Sequence, residues 1–471
     1  MARFFVTYCL WTAALHDASQ AIHVQVRGTR EVVHNFRRPF IYRASGGLTL
    51  NNSGDISYYA DIAVGNQSFQ ALIDTGSSDL WVAGKVANSS STGLNTSIQY
   101  AANSIEGLIK HARLDFAGQT VSDQAFLEVS PNAKYPDGYG IIGLGPAEGS
   151  FISKMLASPA GSPVLDRLFM QNRTSPNYFT ILLGRDRDPT DFFSGSITIG
   201  EVLNDYAGIL NEPHLNITNV PDNMSDDQHL QILLDPDGVI GPNGKPIPIE
   251  TEVDQTADKK QATVVFDCGF TLPQLPRSVV DQIYGNFYGA EFTQVPGLGG
   301  AWILPCDQEV NVTFSFAGRI YPIHPLDMSL EPSLVNVPDF KTVDGQRGCI
   351  GTFQPFTYDR GSSPNYDMVL GMAFMRNVYS LFDYGDKIAN STAFKSPYIQ
   401  LHSITDKTEA HNDFVTVRLG GIDTTGSKGM KDRGSSHGQT TLYYVLAVVA
   451  AIALMIILTL LFFYVRRRRR M

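Results

Sequence analysis

Two segments of the chain each set an Asp-x-Gly tripeptide directly after an apolar run: Ala71-Leu72-Ile73-Asp74-Thr75-Gly76 and Val264-Val265-Phe266-Asp267-Cys268-Gly269. A buried strand that ends in a tight glycine turn can hold a carboxylate at its tip. Two such turns related by pseudo-twofold symmetry bring two carboxyls side by side. Like charges about 3 Å apart cannot both ionise, so the pair shares one proton and presents an acid and a base together. A lone Asp-x-Gly is usually an ordinary β-turn. Its duplication in matched apolar context makes Asp74 and Asp267 candidate catalytic residues. The stretch Gly421-Ile422-Asp423-Thr424-Thr425-Gly426 resembles the motif but lacks a preceding apolar strand, and reads as a decoy.

The repeat extends beyond these turns. Downstream of Asp74 comes Tyr139-Gly140-Ile141-Ile142-Gly143-Leu144-Gly145, and downstream of Asp267 comes Met368-Val369-Leu370-Gly371-Met372. From about Asn51 to His402 the segments are short and rich in Val, Ile, Phe, Tyr and Thr. Gly, Asn and Pro break them about every 8 to 12 residues, a pattern of mostly β structure. One exception is Arg277 to Tyr288, where Val279, Val280, Ile283 and Phe287 recur at helical spacing.

At 471 residues with 43% hydrophobic and 17% charged content, the chain is of globular type and long enough for two or three domains. Its formal charge of -10 hides an asymmetry. Setting aside residues 1–43 and the arginines at 466–470 leaves 25 basic and 44 acidic residues. Such a surface disfavours nucleic acid as a partner. Arg3, the apolar stretch Phe4 to Leu15 and the small residues Ser19 and Ala21 read as a secretory signal peptide over 1–21. Nine Asn-x-Ser/Thr sequons fit a glycosylated luminal or extracellular body. Residues 22–44 carry five arginines and one acid, and read as a basic propeptide with Arg37-Arg38 as a processing point. After a Gly/Ser/Thr-rich polar stalk over 403–441, residues 442–465 are apolar for 24 positions apart from Thr459 and flanking tyrosines. That length spans a bilayer as one helix. The basic tail 466–471 should then stay cytoplasmic, giving a single-pass protein of the plasma membrane, vacuole or another secretory compartment.

The first motif continues Ser77-Ser78-Asp79-Leu80-Trp81, and with it the chain resembles the pepsin-like aspartic proteases over roughly residues 55 to 400. The resemblance implies a mainly β, bilobal fold with pseudo-twofold symmetry, its N-terminal lobe over 45–205 and its C-terminal lobe over 206–402. It implies a monomeric aspartic endopeptidase acting on proteins or peptides, with neither metal nor cofactor. In that family the apolar-apolar-Gly segments thread beside each catalytic turn. The resemblance also makes Thr75 the hydroxyl that ties the turns together and Ser77 the one that bonds Asp74. Tyr100 becomes the flap tyrosine and Trp81 its indole partner. Gly76, Gly269, Ser77, Tyr100, Trp81 and Thr271 are thus the expected substrate-binding residues, and Cys306 and Cys349 the late disulfide, which leaves Cys268 free.

The second turn departs from the family pattern. Cys268 stands where a Thr or Ser is usual, and a thiol is a weak donor. Phe270 replaces a hydroxyl that commonly supports the second aspartate, and Ala101-Ala102 replace glycines after the flap tyrosine. The sequence Asp267 to Pro276 nonetheless resembles membrane-anchored fungal members of the family. The rival reading is a catalytically silent pepsin-like binding module at the cell surface, suggested by Cys268 and Phe270. No zinc-ligand His pair, Cys-x-x-Cys, Gly-x-Ser-x-Gly or phosphate loop points to another enzyme class.

Overall fold

The computed structural model describes residues 48–100, 104–171, 176–186, 188–190, 193–385, 395–427 and 429–431. The segments read as signal peptide (1–21), propeptide (22–44), membrane span (442–465) and basic tail (466–471) lie outside the described residues. The described residues up to Ser427 form one compact unit, and three residues of a second unit, Gly429–Met471, are described. Among the described residues no helix is long and apolar enough to cross a membrane.

The duplication seen in sequence becomes a duplicated strand arrangement. The strand Gln67–Asp74 pairs in parallel with Tyr139–Gly143, which in turn pairs antiparallel with Leu80–Ala83. The second half repeats this: Thr263–Phe266 pairs in parallel with Met368–Leu370, which pairs antiparallel with Gln274–Leu275. In each half the chain leaves the aspartate, turns, and returns along the strand that threads between. Glycines mark the tight crossings, because a Cβ at Gly143 would lie 2.5 Å from the Asp79 nitrogen and one at Gly371 would strike the Phe270 carbonyl.

The first half folds as an eight-stranded sheet over Asn51–Gly143, with Tyr59, Leu72, Trp81, Ile109, Leu127 and Ile141 in its core. The second half is divided among smaller sheets. A six-stranded antiparallel sheet joins them, and here the boundary expected between 205 and 206 is crossed. Tyr178–Leu183 pairs with Val378–Asp383, and Phe179 stacks on Phe382 with centroids 4.8 Å apart. A buried ion cluster adds to this seam: Asp327 binds Arg185 and Arg376, each at 2.6 Å, and Arg185 also binds Asp188.

The helix expected over Arg277 to Tyr288 runs Arg277–Tyr284 and buries Val279, Val280 and Ile283; Gly285 caps it. The stalk expected from 403 begins later. Ser403 ends the strand Tyr398–Ser403, and Lys407–Leu419 is a helix on the body. Asp406 caps its first turn and Gly420, at φ 67°, closes its last. Ala410, Phe414 and Val415 are buried, while Arg418 donates to the Ser329 carbonyl at 2.8 Å. The polar composition of 403–419 hid this helix, because its buried face includes Asp413, which meets His324.

Candidate active site

The two Asp-x-Gly turns meet. A Cβ added at Gly76 would collide with the Asp267 carboxylate, and one at Gly269 with that of Asp74, so each glycine makes room for the opposite acid. The two carboxyls are in hydrogen-bonding contact and buried. Asp74 accepts from the Gly76 amide at 2.9 Å through Oδ1 and from the Ser77 hydroxyl at 2.5 Å through Oδ2. Asp267 accepts from the Gly269 amide at 2.7 Å. No hydroxyl among the described residues donates to Asp267, where Phe270 occupies the corresponding place. Burial first, and the neighbouring charge of Asp74 second, push Asp267 well above the usual carboxylate range. A carboxylic acid touching a carboxylate can donate one proton while taking another.

Beneath the dyad, the Thr75 hydroxyl donates to the Phe266 carbonyl and accepts from the Cys268 amide, both at 2.9 Å. From the other side the Cys268 thiol reaches the Ile73 carbonyl at 3.4 Å. The tie between the turns therefore exists, and it is weaker on the thiol side. Cys268 is the free cysteine and Cys306 is bonded to Cys349, as the resemblance implied.

Asp74 and Asp267 lie in a cleft of about 420 Å³, and Gly76, Ser77, Tyr100, Gly269 and Thr271 all line it. The Thr271 hydroxyl is turned to the Ile56 carbonyl at 2.8 Å, which leaves its carbon side to the cleft wall. Trp81 is the exception among the expected substrate-binding residues: it is fully buried in the first-lobe core. Its indole N–H donates to the Tyr100 hydroxyl at 2.8 Å, so it acts on the cleft by holding that tyrosine. Residues 101–103, where the flap glycines are replaced, lie outside the described residues.

Other wall residues carry no sequence signal. Asp227, His229, Tyr358 and Tyr366 enter the cleft from polar or Gly/Ser/Pro-rich stretches that look like ordinary surface loops. Asp79 was legible only as part of the motif. Its carboxylate accepts from the Phe151 amide at 2.7 Å and the Ser150 hydroxyl, which anchors the helix Phe151–Leu156 beside the cleft.

A duplicated strand arrangement with a paired aspartate at the tip of each half defines a two-lobed acid protease. The chain belongs to the eukaryotic aspartyl protease family, whose model matches residues 57–393. It is an aspartic endopeptidase. Among its relatives is the major aspartyl peptidase 1 of Cryptococcus neoformans, 27% identical over 366 residues that cover 73% of this chain and 70% of that protein. Rat cathepsin E is 27% identical, covering 72% and 80%. The vacuolar protease A of Neurospora crassa is 24% identical, covering 74% and 81%. The fold is similar to that of the aspartic proteinase from Irpex lacteus, with a TM-score of 0.56, 18% identity, and coverage of 77% of this chain and 99% of that one.

Proposed function

We propose that Asp74 and Asp267 hydrolyse peptide bonds by activating one water molecule between them. The hydrogen-bonded carboxyl pair at the floor of an open cleft carries this reading. Asp74, already bonded by Gly76 and Ser77, takes a proton from the water as its oxygen attacks the scissile carbonyl carbon. Asp267 gives its proton to the carbonyl oxygen, forming a tetrahedral diol. The C–N bond then breaks as Asp74 passes its proton to the departing amine, and Asp267 recovers the proton from the diol. Tyr100, held by Trp81, closes over the bound peptide.

The test is Asp74→Asn and Asp267→Asn in the full-length protein. Each should remove proteolysis while keeping a cooperative melting transition. More than a few per cent of native activity in either folded variant sinks the dyad assignment. The intact hydrogen bonding of Asp74 and the retained flap tyrosine support catalysis over a silent binding module.

The apolar run 442–465 followed by five arginines supports a catalytic body on the luminal or extracellular side, tethered by that run. A tag after Met471 should resist external protease in intact cells. The basic segment 22–44 acts as an inhibitory arm, so the full form should show an acid-dependent lag that a form lacking the arm does not.

A further inference from the structure

The second-lobe wall of the cleft is unusual in joining a row of aromatic rings to a charged end. Phe270 and Tyr358 lie with centroids 6.2 Å apart, and the Tyr358 and Tyr366 hydroxyls are 3.1 Å apart. The Tyr366 ring meets His229 edge-on at 5.6 Å, and His229 Nε2 lies 3.3 Å from Asp227 Oδ1. The row thus runs from Phe270, three residues after Asp267, to Asp227.

Asp227 is held ready and remains open. Its Oδ2 accepts from the Asn365 amide at 2.8 Å, and 48% of its side chain is exposed. Burial pushes its pKa up, but the hydrogen bond and charge of His229, with Asn365, outweigh it and hold the carboxyl below the usual range. Five aspartates and His229 line the cleft, with no lysine or arginine among the described lining residues. Among the described residues, two cations near this wall have partners of their own. Lys154 pairs with Asp226, and Arg360 lies over the Phe356 ring, paired with Glu252.

An apolar aromatic track that ends at a carboxylate matches a side chain with a long hydrocarbon stem and a cationic head. We propose that this wall is a subsite for a lysine or arginine of the substrate, its stem across Phe270, Tyr358 and Tyr366 and its head at Asp227. The inference rests on the peptidase reading of the cleft and names a substrate preference that reading does not require.

The test uses full-length protein and peptide pairs that differ at one position, lysine against the uncharged norleucine, scanned along both sides of the scissile bond. At one position the lysine peptide should have the higher kcat/KM, by about five-fold or more. Asp227→Asn should erase most of that ratio, Asp227→Glu should keep it above one, and Asp226→Asn should leave it in place. A native ratio of one or less at every position overturns the subsite, as does an unchanged ratio in Asp227→Asn. If Asp227→Asn does not fold, the Asp227→Glu ratio decides: a value of one or less overturns the proposal. Failure of the native protein to cut any peptide removes the peptidase reading and the subsite with it, whereas cleavage without a lysine preference removes the subsite alone.

Discussion

The Thr75 hydroxyl bridges the two halves of the dyad through two 2.9 Å hydrogen bonds, to the Phe266 carbonyl and from the Cys268 amide, whereas Cys268 answers with one 3.4 Å thiol contact. Family symmetry would put a hydroxyl on both sides. Here one side carries most of the tie. Thr75→Val should leave a buried amide and a buried carbonyl unpaired and cost roughly 2–4 kcal/mol. Cys268→Thr should raise Tm. Chemical denaturation of both variants checks this; equal losses from Thr75→Val and Cys268→Ala would remove the asymmetry.

Asp267 is held protonated by burial and by Asp74, so the active form, with one proton shared by the pair, persists to higher pH than for an ordinary carboxyl. Activity should extend above the range of an ordinary carboxyl pair and fall as the pH rises through the Asp267 pKa. Phe270→Thr offers a hydrogen bond to the ionised form, lowers that pKa, and should move the upper limb toward acid. A kcat/KM profile with an optimum below about 3, or an unmoved limb in Phe270→Thr, refutes it.

The same shift has a sign for stability. A raised folded-state pKa contributes stability that is fully present below the unfolded value and lost as pH rises through the folded value. Asp267→Asn should therefore gain in Tm relative to native protein at pH 7 compared with pH 4. An equal Tm difference at the two pH values contradicts the raised pKa.

Asp327 has the opposite sign. Its burial is outweighed by the charges of Arg185 and Arg376, which hold it below the usual carboxylate range. Asp327→Asn removes the carboxylate from buried Arg376 and leaves buried Arg185 with Asp188 alone, and should cost about 3–5 kcal/mol at neutral pH. Because the pKa is depressed, that contribution is present above the unfolded value of about 3.9 and shrinks as pH falls below it. Urea titrations at pH 3 and 6 should show the gap between native and variant narrowing in acid.

The helix Lys407–Leu419 belongs to the catalytic body, with Phe414 fully buried. Phe414→Ala should cost about 3–5 kcal/mol and lower Tm in a single cooperative transition. No change in Tm would return 403–419 to the stalk.

Closing the loop between Cys306 and Cys349, 43 residues apart, restricts the unfolded chain. The paired change to alanine should cost roughly 4 kcal/mol in the chain-entropy account. Guanidinium titration measures it, and a loss under about 1 kcal/mol would show that the loop is already ordered when unfolded.

The sequence by itself determined the elements whose chemistry is local. An apolar strand running into Asp-x-Gly specifies a buried strand and a tight turn, and writing it twice in matched context points to two similar halves that each carry one carboxyl. The glycines at 143 and 371 were readable for the same reason, since backbone crossings exclude a Cβ. Tertiary structure alone decided what depends on partners distant in the chain. Trp81 lost its place in the cleft wall because the first-lobe core covers it. Asp413 looked like stalk because its partner His324 lies 89 residues away, and Asp227 looked like surface until Asn365, 138 residues on, was folded against it. A polar residue read alone defaults to solvent. Only the packed chain shows which polar residues have exchanged water for one another.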